Sequence, residues 1–309
     1  MKVAFAGTPA FAATVLRGLL DSEHEVGLVI SQPDRRRGRG RKLATTPVAE
    51  LALDAGLPLR QPVRIGEAAA EISTHDALVV AAYGQILRPD TLYAARYGAW
   101  NVHASLLPAY RGAAPIERAI MNGETESGVS IMRMDEGLDT GPVALQRTIP
   151  ILPDMTGGAL TQALAVLGSN AIVEVLVELQ ANSLTLTDQN SLYATYAAKV
   201  EDEERLIRWS DGVEKVNDLV RALTPHIGAR TFHSEFSGPI KVLCSTVHEK
   251  KENRISSRLP GAILPANERI FVSCKGGVLE ILKLQVPGGK VLSAADFLRG
   301  RSLSGVFLS

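Results

Sequence analysis

Residues 76–84, DALVVAAYG, leave little choice of fold. The run is too apolar to have a wet face, so it predicts a strand covered on both sides, central in a mostly parallel sheet. Its neighbours repeat the pattern. KVAFAG (2–7) is a short apolar run ending in Gly, and TPAFAATVLRGLL follows it as a helix. Thr8 before Pro9 reads as N-cap and N1. EVGLVIS (25–31) is the next strand, and TPVAELALDAG (46–56) repeats the Thr-Pro start and stops at Gly56 as a C-cap. GAWNVHAS (98–105), SGVSIMRMD (127–135) and PVALQRTIPI add further strands before a long helix over about 155–181. Strand and helix alternate as in an α/β, Rossmann-like domain, expected over residues 1–190.

The alternation then stops. Residues 191–206 read as a linker, and 207–309 as a second domain. After the helix GVEKVNDLVRAL come short β-rich runs, ARTFHS, IKVLCSTV, GAILP, RIFVSCK and GVLEILKLQV, separated by Gly, Pro and polar residues. That spacing predicts a small antiparallel β-barrel. Hydrophobic residues make up 46% and charged residues 21%, which excludes a disordered chain. Cys244 and Cys274 show no metal-ligand spacing, and the expectation is a reducing, cytoplasmic setting with no bound metal. No run approaches the ~20 apolar residues of a membrane span, and the N-terminus does not read as a signal peptide.

Formal net charge is +0, but it is unevenly spread. From Arg205 to the end there are 16 Lys and Arg against 9 Asp and Glu, a net of +7, so the first 204 residues carry −7. Within that acidic part, QPDRRRGRGRK (32–42) packs Arg35, Arg36, Arg37, Arg39, Arg41 and Lys42 beside one acidic residue. Two separate basic regions on a neutral protein suit one polyanionic partner.

The first βα turn, AGTPAFAA, has one Gly and does not meet the dinucleotide pattern. Chemistry is expected instead at strand ends. Asn101 and His103 alternate on one strand, so their side chains share a face. DEGLDTGP (135–142) supplies Asp135 and Asp139 among glycines. Each has a structural reading: a lone strand-end His packs, and an Asp before Thr-Gly shapes a turn. Together an Asn, a His and an Asp suit acyl transfer to an amine. The amide donates to a developing oxyanion. The imidazole exchanges protons, and the carboxylate orients it or takes the amine's proton. No Ser or Cys stands in a nucleophile motif, which points to direct attack by the amine.

NVHASLLPAYRGAAPIERAI followed by GVSIMRMDEGLDTGP resembles the signature of folate-dependent formyltransferases. FAGTPAFA, SQPDRRRGRGRKL, RGAAPI and SAADFLRGR are similar to the branch that formylates methionine on initiator tRNA, and the likeness covers nearly the whole chain. The resemblance implies 10-formyltetrahydrofolate as donor and initiator methionyl-tRNA as acceptor. It also implies an OB-like second domain, a monomer, and no membrane association. Asn101, His103 and Asp139 match the catalytic positions. Ser105, Leu106, Leu107 and Pro108 match a segment lining the folate site. Ala82, Tyr83, Gly84, Ile86 and Leu87 are expected to cradle the pteridine. The basic loop is expected to enter the acceptor stem, with Arg39 foremost, its glycines letting backbone approach phosphate. Arg36 replaces a Pro common in this loop, and His226 and Arg230 stand where aromatics are usual. A sibling acting on a small amine such as a nucleotide-sugar is the alternative. It would share the trio but have no use for the basic loop.

Overall fold

The computed structural model describes residues 1–37, 42–250, 259–264 and 266–309, with only the backbone at 36, 37, 42, 249 and 250. It divides into two compact units. The first is Met1–Pro115, Glu126–Ile149 and Thr161–Ala197, and the second is Ile116–Thr125, Pro150–Leu160 and Ala198–Ser309.

The first unit holds β1 (Lys2–Gly7), β2 (Glu25–Ile30), β3 (Arg35–Arg37), β4 (Lys42–Ala44), β5 (Leu59–Arg60), β6 (Ala77–Ala81), β7 (Ala99–His103), β8 (Arg111–Gly112), β9 (Glu126–Arg133), β10 (Val143–Pro150) and β11 (Tyr196–Ala197). Seven form one sheet in the order β10-β9-β7-β6-β1-β2-β5. As the apolar run demands, β6 is buried along its whole length and lies between two parallel neighbours, β1 and β7. One edge departs from the parallel pattern. β9 runs antiparallel to β7, with Trp100 opposite Arg133 and His103 opposite Ser130. The loop after β9 therefore starts at the far end of β7 and must fold back to reach His103.

The two Thr-Pro starts diverge. Thr46 caps helix Pro47–Asp54 by accepting the Ala49 N–H at 3.1 Å; the C-cap is Ala55 rather than the expected Gly56, which follows it at φ +66. Helix Ala10–Leu20 takes Pro9 as its N-cap, because the Thr8 hydroxyl donates instead to the Tyr83 carbonyl at 3.0 Å. That bond ties the first βα turn to the segment leaving β6.

Helix Gly157–Gln180 corrects the expectation that no run approaches a membrane span. It has 24 residues and a mean hydropathy of 1.6 over its most apolar window, half of which is buried within the fold. Leu160, Leu164, Ala165, Ile172, Val175 and Leu176 are its buried face, so its apolar character is accounted for by core packing.

The second unit carries β12 (Ala229–Thr231), β13 (Ile240–Lys250), β14 (Ile263–Leu264), β15 (Ile270–Cys274), β16 (Gly277–Gln285) and β17 (Leu292–Ser293). They form an antiparallel sheet in the order β12-β13-β16-β15-β14, with β17 beside β16. The C-terminal residues bridge both edges, Leu308 to Phe232 and Val306 to Ala262, which curls the sheet toward an OB-like barrel. Its core is Trp209, stacked on Phe307 at 5.7 Å, with Ile240, Val242, Val272, Leu279 and Ile281. Arg230 grips Asp202 through its carboxylate at 2.8 Å and its carbonyl at 2.7 Å, which gives the residue standing in an aromatic's place a structural task.

Candidate active site

Asn101 and His103 project from one face of β7, and the folded-back loop 134–142 brings Asp139 to them. Asn101 Nδ2 stands 3.4 Å from Asp139 Oδ1, and His103 Nδ1 stands 3.8 Å from Asp139 Oδ2. The three residues expected from sequence therefore meet. His103 is only 6% exposed and the Asp139 side chain 13%, so the Asp139 carboxylate acts in a poorly hydrated crevice.

Two groups hold the trio that its sequence pattern did not name. His103 Nε2 faces the Tyr110 carbonyl at 3.0 Å. A carbonyl only accepts, so Nε2 carries a proton and Nδ1 is the nitrogen presented to Asp139. The imidazole is thus oriented by backbone rather than by the carboxylate. The Gly112 N–H donates to Asp139 Oδ2 at 2.8 Å. Asp139 itself sits at φ +53, a left-handed conformation unusual for a side-chain-bearing residue. Asp135 is separate from the trio. Its carboxylate accepts the Gly137 N–H at 3.0 Å and the Thr140 hydroxyl at 2.7 Å, and so shapes the loop.

The carbonyl of Asp139 is held as well. Gln189 Nε2 donates to it at 2.9 Å and to the Gly141 carbonyl at 2.7 Å. Gln189 Oε1 accepts two bonds from the Arg111 guanidinium, at 3.1 and 2.8 Å, and Arg111 is 3% exposed. Residues 195–197 run beside residues 110–114. Tyr110 N–H donates to Thr195 Oγ1 at 2.8 Å, Arg111 N–H to the Thr195 carbonyl at 2.8 Å, and β11 pairs with β8. These residues fall in or beside the stretch expected to be a linker.

The segment after His103 is rigid for a different reason. Ser130, opposite His103 on β9, accepts the Leu107 N–H at 3.0 Å and Gln146 Nε2 at 2.8 Å, and donates to the Ser105 carbonyl at 2.7 Å. The Ser105 hydroxyl donates to the Ala109 carbonyl at 2.6 Å. Ser105 and Leu107 are buried, and Leu106 and Pro108 are half-buried. Val80 of β6 pairs with Asn101, so residues 82–87 leave the sheet beside His103. They alternate: Tyr83 and Leu87 enter the core, whereas Ala82, Gly84 and Ile86 face outward, Ile86 with 87% exposure. Burial pushes the Tyr83 phenol up to about 12, so it stays protonated. Only the outward set can touch a ligand through side chains. Beside them, Ala82 and Gly84 have positive φ, +43 and +84, and no side chain beyond Cβ to cover their backbone.

On either side of residues 38–41 the basic stretch pairs as two short antiparallel strands. Arg35 pairs with Ala44, Arg36 with Leu43 and Arg37 with Lys42. Arg39 and Arg41 lie outside the described residues. The ribbon's foot is anchored: Gln61 Nε2 donates to Asp34 at 2.7 Å, and Gln32 Nε2 donates to the Tyr83 carbonyl at 3.0 Å. A cavity of about 690 Å³ lies toward the other end of β7, against Tyr97, Trp100, Arg133 and Leu186, and none of the trio lines it. Among the described residues, no cluster of three His, Cys, Asp or Glu is placed to hold a metal ion.

A mostly parallel sheet brings an Asn, a His and an Asp together in one poorly hydrated crevice, a set suited to acyl transfer. Residues 1–176 match the formyl transferase family and residues 199–302 the formyl transferase C-terminal domain. The methionyl-tRNA formyltransferase of Rubrobacter xylanophilus is 64% identical over 305 residues, 99% of each chain. That of Pseudomonas paraeruginosa is 43% identical over 307 residues, 97% of this chain and 96% of its own. The chain belongs to the methionyl-tRNA formyltransferase family. Among solved structures, an N-formyltransferase from Helicobacter canadensis, in complex with folinic acid and dTDP-3-aminofucose, shares the fold. Its TM-score is 0.67 at 18% identity, over 91% of this chain and 98% of its own. Glycinamide ribonucleotide transformylase 1 from Symbiobacterium toebii shares it over 62% of this chain and 94% of its own, with TM-score 0.51 at 21% identity.

Proposed function

We infer that this chain transfers the formyl group of 10-formyltetrahydrofolate to the free α-amino group of methionine on initiator tRNA, giving N-formylmethionyl-tRNA for the start of translation. The observation that carries the reading is the meeting of Asn101, His103 and Asp139 in one crevice of a chain of this family. When bound, the folate supplies a formyl carbon activated by its attachment to N10.

The residues present fit that donor. The outward set Ala82, Gly84 and Ile86, with the open backbone at 82–84, offers a shallow bed for a flat ring beside His103. The tightly bonded 105–109 turn follows directly on His103. In the reaction, the methionyl amine adds to the formyl carbon, and the carbon–nitrogen bond to the donor breaks. Asn101 Nδ2 donates to the formyl oxygen as negative charge gathers there. Asp139 holds a carboxylate where the amine's proton is released and takes it, directly or through His103 Nδ1. The proton given to the leaving nitrogen returns by the same pair. An oxyanion donor and a proton acceptor both lie on the chain, so this route calls for no metal. The β3–β4 ribbon and the basic second domain meet tRNA phosphates, with Arg35, Arg36, Arg37, Arg39, Arg41 and Lys42 as contacts. We place the enzyme in the cytoplasm, working as a monomer and without a membrane.

The test is to incubate the protein with 10-formyltetrahydrofolate and methionyl initiator tRNA, methionyl elongator tRNA, or free methionine, and to score formylmethionine. Formylation of the initiator alone is expected. Formylation of free methionine at a comparable rate, or of none of the three, overturns the acceptor assignment.

A further inference from the structure

Within loop 134–142 the Asp135 carboxylate braces Gly137 and Thr140, but the bonds that hold Asp139 itself at φ +53 with its carboxylate toward His103 come from outside the loop. Its side chain is caught by the Gly112 N–H and its carbonyl by Gln189, so the residue is clamped at both ends. The Gln189 amide has every hydrogen-bonding group engaged: two N–H on two loop carbonyls, and one oxygen receiving two donors from Arg111. This arrangement has one orientation. A guanidinium only donates and the two loop carbonyls only accept, so an amide turned over would face four mismatches. Arg111 is thereby a key that selects which end of Gln189 faces the catalytic loop. Arg111 and Gly112 are adjacent, so the strand bearing this key also bears the donor to the Asp139 carboxylate. That strand, β8, is held by β11.

We propose that Gln189 and Arg111 are positioning residues that set the Asp139 carboxylate for formyl transfer, and that residues 189–197 are a working part of the active site. The proposal rests on the reading of this chain as a formyltransferase with Asp139 in its chemistry. Gln189 touches no reacting atom. It acts by keeping the loop backbone in a conformation it would otherwise leave, and a misplacement of about 1 Å costs on the order of 100-fold in rate.

The experiment compares full-length wild type with Gln189→Leu and Gln189→Glu, alone and in an Asp139→Ala background. Gln189→Leu removes all four bonds. Gln189→Glu keeps the acceptor for Arg111 but puts an oxygen against two carbonyls, which covers the case in which the leucine variant fails to fold. Single-turnover formylation is expected to fall about 10–100-fold, with the KM for the folate donor within threefold. In the Asp139→Ala background the same change is expected to cost less than twofold, because nothing remains to be positioned. Equal losses in both backgrounds mean a merely structural role and overturn the proposal, as does a rate within twofold of wild type. Amide exchange at residues 139–141 is read in parallel, with at least tenfold faster exchange expected in the variants. Unchanged exchange overturns the positioning role even in a protein that formylates nothing, whereas failure of wild type in the formylation assay counts against the function and not against the clamp.

Discussion

Gly112→Ala isolates the strain on which the site depends. Gly112 has φ +115, a region that side-chain-bearing residues scarcely visit, at a cost of roughly 1–3 kcal/mol. An added Cβ would also lie 2.9 Å from the Ala197 carbonyl oxygen, which is backbone and cannot rotate aside. That oxygen accepts the Ala113 and Ala114 N–H groups at 2.9 and 3.0 Å, so pushing it away weakens two hydrogen bonds worth about 1 kcal/mol each. The expected loss is about 3 kcal/mol, which lowers Tm by roughly 6–12 °C in a domain of this size. The other way to relieve the contact is to turn the Gly112 N–H off the Asp139 carboxylate. A hydrogen bond to a charged group is worth about 1.5–3 kcal/mol, or about 10–100-fold in kcat at ~1.4 kcal/mol per decade. The assay pairs thermal unfolding with single-turnover formylation of methionyl-tRNA. Gly56→Ala is the control: φ is +66, and an added Cβ meets nothing within 4 Å. It is expected to cost about 1 kcal/mol of stability and leave kcat unchanged. A Gly112→Ala enzyme with kcat within twofold of wild type would refute the argument that this backbone donor serves Asp139.

Asn101→Ala removes the proposed oxyanion donor and is expected to lower kcat about 100–1,000-fold with little change in either KM, and a loss under fivefold in steady-state assays contradicts that role. Ser130→Ala strips a partner from the Leu107 N–H, the Ser105 carbonyl and Gln146 at once. It is expected to destabilise the first unit by about 2–3 kcal/mol and to raise the KM for folate more than that for tRNA. Replacing Arg39 with Ala is expected to raise the KM for tRNA and to lower the log–log salt slope of binding by ~0.9 if one duplex phosphate contact is lost; an unchanged slope places Arg39 off the nucleic acid. Arg118, bound to both oxygens of Glu204, lowers that carboxyl from 4.5 to about 2. Because the folded value is depressed, the ion pair's contribution is present above pH ~4.5 and is lost as pH falls toward 2. The Tm gap between wild type and Glu204→Gln should accordingly close over that interval, and a gap constant from pH 6 to pH 2.5 contradicts the assignment.

What was legible in the chain divides along the range of the interactions concerned. β6 was readable because burial on both faces leaves its mark on each of its residues, and the helix ending at Gly56 because its cap and its stop lie within the same eleven residues. Thr8 and Thr46 show where such local reading ends. Both precede a Pro at a helix start, yet only Thr46 caps, because Thr8 finds a carbonyl 75 residues away that the local pattern does not contain. The same limit governs the site. Asn101 and His103 were visible as alternating polar residues at the end of an apolar strand, and Asp139 by its glycine-flanked turn. The route by which Asp139 arrives was not visible, since it depends on β9 running antiparallel to β7. The expected pteridine cradle was legible as a segment but not residue by residue: Tyr83 and Leu87 face the core, and the path of the irregular segment beyond β6 decides that. Gln189 left no local signal. It is one polar residue in an irregular polar stretch, and its partners lie 48, 50 and 78 positions away. A residue whose work is to hold another residue's backbone carries no chemistry of its own to recognise, so the supports of an active site become readable only once the fold has brought their partners together.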